Sequence, residues 1–212
     1  MKVTIEKFQE LYEISQMELT EIDKSILLVQ CLTGKSEKQV NDMPIEKFNA
    51  LCKKISTTFD SLKLDEGMPV NHIRANGRMY FMNYDIAKPP MNAGRYVEVA
   101  TFSGDVIGNL HKILATMANP MKLTWRGYRL QKFDAVNHEQ IANDMLKADF
   151  SVAYNSAVFF YALFKESIKN SHNYFLSLTE NKAEMEKTLD NLNEVMDGFI
   201  TAKWYQNLKI SV

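Results

Sequence analysis

The sequence predicts a mainly α fold: an N-terminal four-helix lobe, a central β-hairpin, and a larger C-terminal helical bundle with a long terminal helix. Three observations carry that prediction. Apolar residues recur every three or four positions through much of the chain. Helix start and stop residues punctuate the first 62 positions. One Asn76-Gly77 pair, the strongest short hairpin signal, interrupts the helical pattern. The corresponding division is 1–64 for the lobe, 65–92 for the hairpin and a Pro-rich connector, and 93–212 for the C-terminal helical domain.

In the lobe, Thr4 precedes a helix with Ile5, Phe8, Leu11 and Tyr12 on one face. Thr20 starts a second, with Asp23 three residues on and Ile22, Ile26 and Val29 at helical spacing. Gly34 ends it, because the left-handed C′ position suits a residue without Cβ. Ser36 and Gln39 form a capping-box pattern for a short helix reaching about Asn41. Pro44 near the first helical position opens a fourth, striped by Ile45, Phe48, Leu51, Cys52, Ile55, Phe59 and Leu62.

The pattern changes at Asp65. Residues 70–74 and 79–84 flank Asn76-Gly77 and read as hairpin strands, and Lys88-Pro89-Pro90 then forbids regular structure. Residues 93–118 read as a helix bent around Ser103-Gly104-Asp105, with Asp105 capping the second half and Asn119-Pro120 stopping it. Residues 121–136 hold Trp125, Gly127, Tyr128 and Phe133 without clear periodicity, which fits a long loop or another strand pair. Residues 138–147 look helical. A further helix starts near Asp149 and is apolar on most sides, so it belongs in the centre. The last helix begins after Thr179, where Asn181 and Glu184 can cap it. Met185, Leu189, Leu192, Met196 and Phe199 give it an a/d pattern for about two heptads. Packing on its own domain is the favoured reading of that seam, since a coiled coil wants three or more heptads.

Bulk properties narrow the function. The 46% hydrophobic content supplies a packed core and argues against disorder. The net charge of −1 removes the general attraction that nucleic-acid binders rely on. Cys31 and Cys52 sit in apolar helical runs and read as free thiols of a reducing compartment. The opening residues turn charged at once, unlike a signal peptide, and the longest apolar stretch, 152–164, is too short to span a bilayer. These features predict a cytosolic setting and no membrane contact.

No residue pattern points to catalysis. Thr33-Gly34-Lys35-Ser36 has the tail of a phosphate-binding loop, but Val29 stands where its first glycine is needed, and helix capping explains Gly34 and Ser36. His72, His111, His138 and His172 are scattered, and none forms a metal-binding pair on a helix. There is no G-x-S-x-G, and Asp144 with Asp149 reads as an ordinary solvated helix face. Accordingly no catalytic, cofactor or metal residue is assigned. Arg74, Arg78, Lys88, Arg95, Lys122, Arg126 and Arg129 interleave with Tyr80, Trp125 and Tyr128, a pattern single-stranded nucleic acid can use. The competing reading is a polar hairpin and loop with inward aromatics, and the net charge favours it.

Two stretches carry a family likeness: Gly94-Arg95-Tyr96-Val97-Glu98 with residues 109–115 and Asn119-Pro120, and then Phe150-Ser151-Val152-Ala153 with residues 159–163. With Met43-Pro44-Ile45-Glu46-Lys47-Phe48, this arrangement resembles helical morphogenesis proteins of tailed bacteriophages, among them tail-assembly chaperones and virion proteins. The resemblance implies a structural or assembly role, foremost a ring-like oligomer in the neck or tail. A chaperone that does not stay in the particle is the alternative, and a nucleic-acid accessory protein ranks below both. The implied partners are other phage structural proteins and further copies of the chain, in the virion and, before assembly, in host cytoplasm. Candidate interface residues are Tyr80, Tyr84, Trp125, Tyr128, Trp204 and Tyr205, since aromatic residues are enriched at energetic centres of interfaces. Most of the twelve methionines read as fillers of an irregular core.

Overall fold

The computed structural model describes residues 3–60, 68–87, 99, 101–102, 105–131 and 137–177, with isolated positions between 183 and 194; the side chains of 58–60, 86–87 and 168–177 are excepted. The chain is mainly helical, with a small four-stranded antiparallel sheet in the middle.

Local side-chain chemistry sets the N-terminal helices. In α1 (Ile5–Gln16), Thr4 Oγ1 accepts from Lys7 N, and Ile5, Phe8, Leu11 and Ile14 are buried. The fourth inward position is therefore Ile14, while Tyr12 lies half-buried at the margin. Helix α2 (Glu21–Thr33) starts at Thr20, whose hydroxyl accepts from Asp23 N, and stops at Gly34 with φ +67°. There the Gly34 N–H donates to Gln30 O at 2.8 Å, which satisfies a carbonyl that the helix end leaves open. Its inward face is Ser25, Leu28 and Val29, while Ile22 is exposed. Helix α3 (Glu37–Asn41) carries both bonds of the Ser36–Gln39 capping box. In α4 (Ile45–Asp60) the stripe is buried at Cys52 and Ile55 and open at Ile45. Pro44 stands just before that helix, its carbonyl accepting from Lys47 N and Phe48 N.

Strands β1 (His72–Ala75) and β2 (Arg78–Met82) form the expected hairpin. Asn76 and Gly77 both have positive φ, +47° and +75°, the backbone twist that a two-residue turn between antiparallel strands needs. A 3-10 turn follows at Tyr84–Ala87.

The next region departs from expectation. Residues 105–109 form turns, and Asp105 Oδ1 accepts from Gly108 N at 2.9 Å, so Asp105 caps that turn, one step before helix α5 (Leu110–Met117). The chain then passes directly into strand β3 (Ala118–Thr124), and β4 (Gly127–Leu130) completes a sheet of order β1-β2-β3-β4. Of the two readings left open for residues 121–136, the strand pair is the one formed, up to Leu130. Pro120 lies inside a central strand opposite Tyr80, a place proline usually avoids. Gln131 N donates to Pro120 O, so the backbone polar groups of residue 120 face β4. The missing N–H therefore falls just past the last paired residue of β4, and the β2–β3 ladder loses nothing.

Helices α6 (His138–Met145) and α7 (Phe150–Ser177) close the core. Asp149 Oδ1 accepts from Ser151 N at 3.1 Å at the start of α7. Ala153, Ala157, Phe160, Tyr161 and Phe164 are buried along α7, in keeping with a pattern apolar on most sides, while Phe159 is exposed. The chain's beginning is tied to this helix. Ile5 N donates to Ala148 O, Phe150 N donates to Val3 O, and the Phe8 and Phe150 rings stack at 3.6 Å between centroids. Full burial of a ring such as Phe8 contributes about 1.5–3 kcal/mol. The junction expected at 64/65, the Lys88-Pro89-Pro90 connector and the a/d seam of the terminal helix lie outside the described residues.

Candidate protein-contact surface

Strand β3 is longer than its neighbours, and that difference creates the surface. It pairs with β2 only over residues 118–121 and with β4 over 121–124. Residues 122–130 therefore continue as a two-stranded ribbon after β2 has turned away through Asn76-Gly77. Gly127, with φ +105°, brings the chain round, and Thr124 Oγ1 donates to Gly127 O at 2.6 Å.

Directly opposed residues of a ladder share a face. The pairs Leu123–Tyr128 and Met121–Leu130 make one face of the ribbon apolar, and the pair Lys122–Arg129 makes the other cationic. Trp125 at the tip is 87% exposed, and the Arg126 guanidinium lies 4.3 Å from its ring centroid. Leu123, Trp125, Tyr128 and Leu130 are four of the ten large hydrophobic side chains exposed among the described residues. That concentration is what distinguishes the ribbon, since single exposed hydrophobic residues are ordinary.

Behind the ribbon a cleft of about 640 Å³ opens between it, the β1–β2 turn and the start of α6. Arg74, Arg78 and Lys122 line it with Met79, Leu123 and Tyr128. One wall is held by Asp144 of α6, a carboxylate only 4% exposed. It accepts from Asn76 Nδ2 at 2.7 Å, from Arg78 Nη1 at 3.0 Å and from the Tyr80 hydroxyl. Burial, helped by this bond to a carboxylate, pushes the Tyr80 hydroxyl up to about 12, so it stays a donor at neutral pH.

The expected interface aromatics divide accordingly. Tyr80 is buried inside the Asp144 cluster and presents no surface, a departure from the expectation that it anchors a contact. The reason is strand parity: position 80 faces the core with Ile73 and Met82. Tyr84 is half-buried; its hydroxyl donates to Val70 O at 2.8 Å, and its ring meets Phe159 edge-on at 5.1 Å. Trp125 and Tyr128 are brought together on the exposed ribbon, whereas Trp204 and Tyr205 lie outside the described residues. Sequence reasoning missed Leu123 and Leu130. Their signal was the alternation of apolar and basic residues on either side of Trp125-Arg126-Gly127.

Elsewhere the polar groups serve the fold. Cys31 Sγ donates to Glu10 Oε2 at 3.0 Å, and burial with that carboxylate pushes the thiol up to about 12. The Gln9 amide donates to Ile107 O and Gly108 O, and its nitrogen lies 3.1 Å from His111 Nδ1, joining α1 to α5. Burial lowers His111 to about 4, so its ring is neutral at neutral pH. Among the described residues no three or more His, Cys, Asp or Glu side chains are placed to hold a metal, and no helix is long and apolar enough to cross a membrane. No known family model, curated protein or solved structure matches the chain.

Proposed function

We propose that the chain is a structural or assembly protein of a tailed bacteriophage that works through protein–protein contacts, with a ring-like oligomer of the neck or tail as its form in the particle. The observation that carries the contact reading is the ribbon: exposed Leu123, Trp125, Tyr128 and Leu130 on a strand pair that stands beyond the sheet. A two-stranded ribbon is marginal by itself in water and gains stability when a partner covers its apolar face. The phage setting rests on the likeness carried by residues 94–98, 109–115, 119–120, 150–153 and 159–163.

Trp125→Ala with Tyr128→Ala tests the contact. Both side chains are exposed, so folding stability changes by no more than about 0.5 kcal/mol. As interface centres they contribute about 2 kcal/mol or more each to association. The expected result is an unchanged urea midpoint with sedimentation shifted to a smaller species, or with loss of co-purification with tail proteins. Unchanged sedimentation and unchanged co-purification overturn the reading. Mass spectrometry of purified particles tests the setting. Many copies per particle support the virion form, and absence with retained binding to a tail protein supports the chaperone.

A further inference from the structure

We infer that the cleft behind the ribbon receives an extended, acidic segment of a partner protein, which adds a strand to the open edge of β3 and places its carboxylates on the face of Lys122 and Arg129. The inference deepens the protein-contact reading and rests on it.

The open edge follows from the ladder. In an antiparallel pair the backbone polar groups of successive residues point to alternate sides. Gln131 N donating to Pro120 O turns the even residues of β3 toward β4, and hence the odd ones toward β2. Met121 meets Met79 there, but Leu123 has no strand opposite among the described residues. Its N–H and C=O therefore face the cleft without a strand partner among the described residues. A peptide backbone completes such an edge, and alternate side chains then set the specificity.

The charge of the segment follows from the lining. From Val106 to Phe133 the chain has no carboxylate and five Lys or Arg residues. Lys122 and Arg129 stand directly opposite each other, a like-charge pairing that costs stability in a sheet. Arg78 is already matched by Asp144, which leaves Lys122 and Arg129 as the cations of that face with no carboxylate paired to them among the described residues. Met79 and Leu123 belong to the opposite, apolar face, which suits the alternate side chains of an extended peptide. Nucleic acid would satisfy the cations but leave the backbone groups of Leu123 without partners, and the chain's net charge of −1 does not favour it.

The test uses the full chain and three probes: a labelled synthetic peptide alternating Glu and Val, its Gln–Val counterpart, and an oligothymidylate. The expected result is anisotropy-detected binding of the Glu–Val peptide that weakens as salt is raised. It falls about tenfold or more in Lys122→Glu with Arg129→Glu and partly in Lys122→Gln. Amide exchange at Leu123 slows on binding, which a purely ionic contact would not produce. Equal binding of the Gln–Val peptide overturns the inference, as does binding of oligothymidylate alone, or of none of the probes. The underlying reading fails separately. If Trp125→Ala with Tyr128→Ala abolishes assembly while the charge reversals leave peptide binding unchanged, the cleft is refuted and the ribbon contact stands.

Discussion

Replacing Asp144 with Ala removes the acceptor shared by Asn76, Arg78 and Tyr80. The three donors do not suffer equally. Arg78 is more than half exposed, so its guanidinium returns to water at little cost. The Tyr80 hydroxyl is enclosed, with the residue 1% exposed, and a buried donor left unpaired costs about 1–3 kcal/mol. The enclosed Tyr80 hydroxyl therefore dominates, and a loss of about 2 kcal/mol is expected. For a chain of this length it lowers the thermal midpoint by roughly 4–8 °C. Urea unfolding followed by circular dichroism measures it. Tyr80→Phe removes one bond and leaves Asp144 two donors, so it costs about 1 kcal/mol. In the double variant the two losses are not additive, because both act through one bond. A loss below about 1 kcal/mol for Asp144→Ala, or strict additivity with Tyr80→Phe, refutes the clamp.

Two other groups give separate checks. His111 is held neutral, its folded pKa of about 4 lying below the ordinary 6.5, so the unfolded chain binds the extra proton first. Its contribution is complete above about 6.5 and is lost as pH falls from there towards 4; a urea midpoint series shows this decline, and His111→Gln flattens it. Cys31, with its thiol pushed up to about 12, and the buried Cys52 resist a disulfide reagent at pH 8 until urea unfolds the chain. Rapid labelling of either thiol in the folded protein would contradict their placement.

What the sequence made legible was local chemistry. Ser36 with Gln39, Gly34 after α2, Thr20 before it and Asn76-Gly77 each act within a few residues, so the pattern and the structure coincide. What it hid depends on distant partners. Asn119-Pro120 signals a helix stop and gives no sign of a strand, because only pairing with β2 shows that the missing N–H of Pro120 faces the ladder's end. Asp144 looked like any exposed helix carboxylate; the donors that bury it lie 64 to 68 residues away. At the contact surface, composition singled out Trp125 and Tyr128, but only the strand faces separate them from Tyr80.

The Asp144 cluster and the ribbon have opposite demands that the fold meets in adjoining places. A strand-adding partner gains affinity when the edge it joins is already ordered, since less freedom is then lost on binding. The β1–β2 hairpin supplies that order on one side of the cleft, fixed to α6 through three bonds to one buried carboxylate. On the other side, β3 is anchored over residues 118–121 and released from β2 beyond them, so Leu123, without a strand partner on that side among the described residues, stands where the rigid sheet ends. Lys122, Arg126 and Arg129 gather on this released part, in a stretch from Val106 to Phe133 without a carboxylate, so a chain with a net charge of −1 can present a cationic face. An Asp144 variant should therefore weaken peptide binding indirectly, by loosening the cleft wall, while leaving Lys122 and the salt dependence in place. Lys122→Gln should instead reduce the salt dependence itself. That difference separates the wall from the charge.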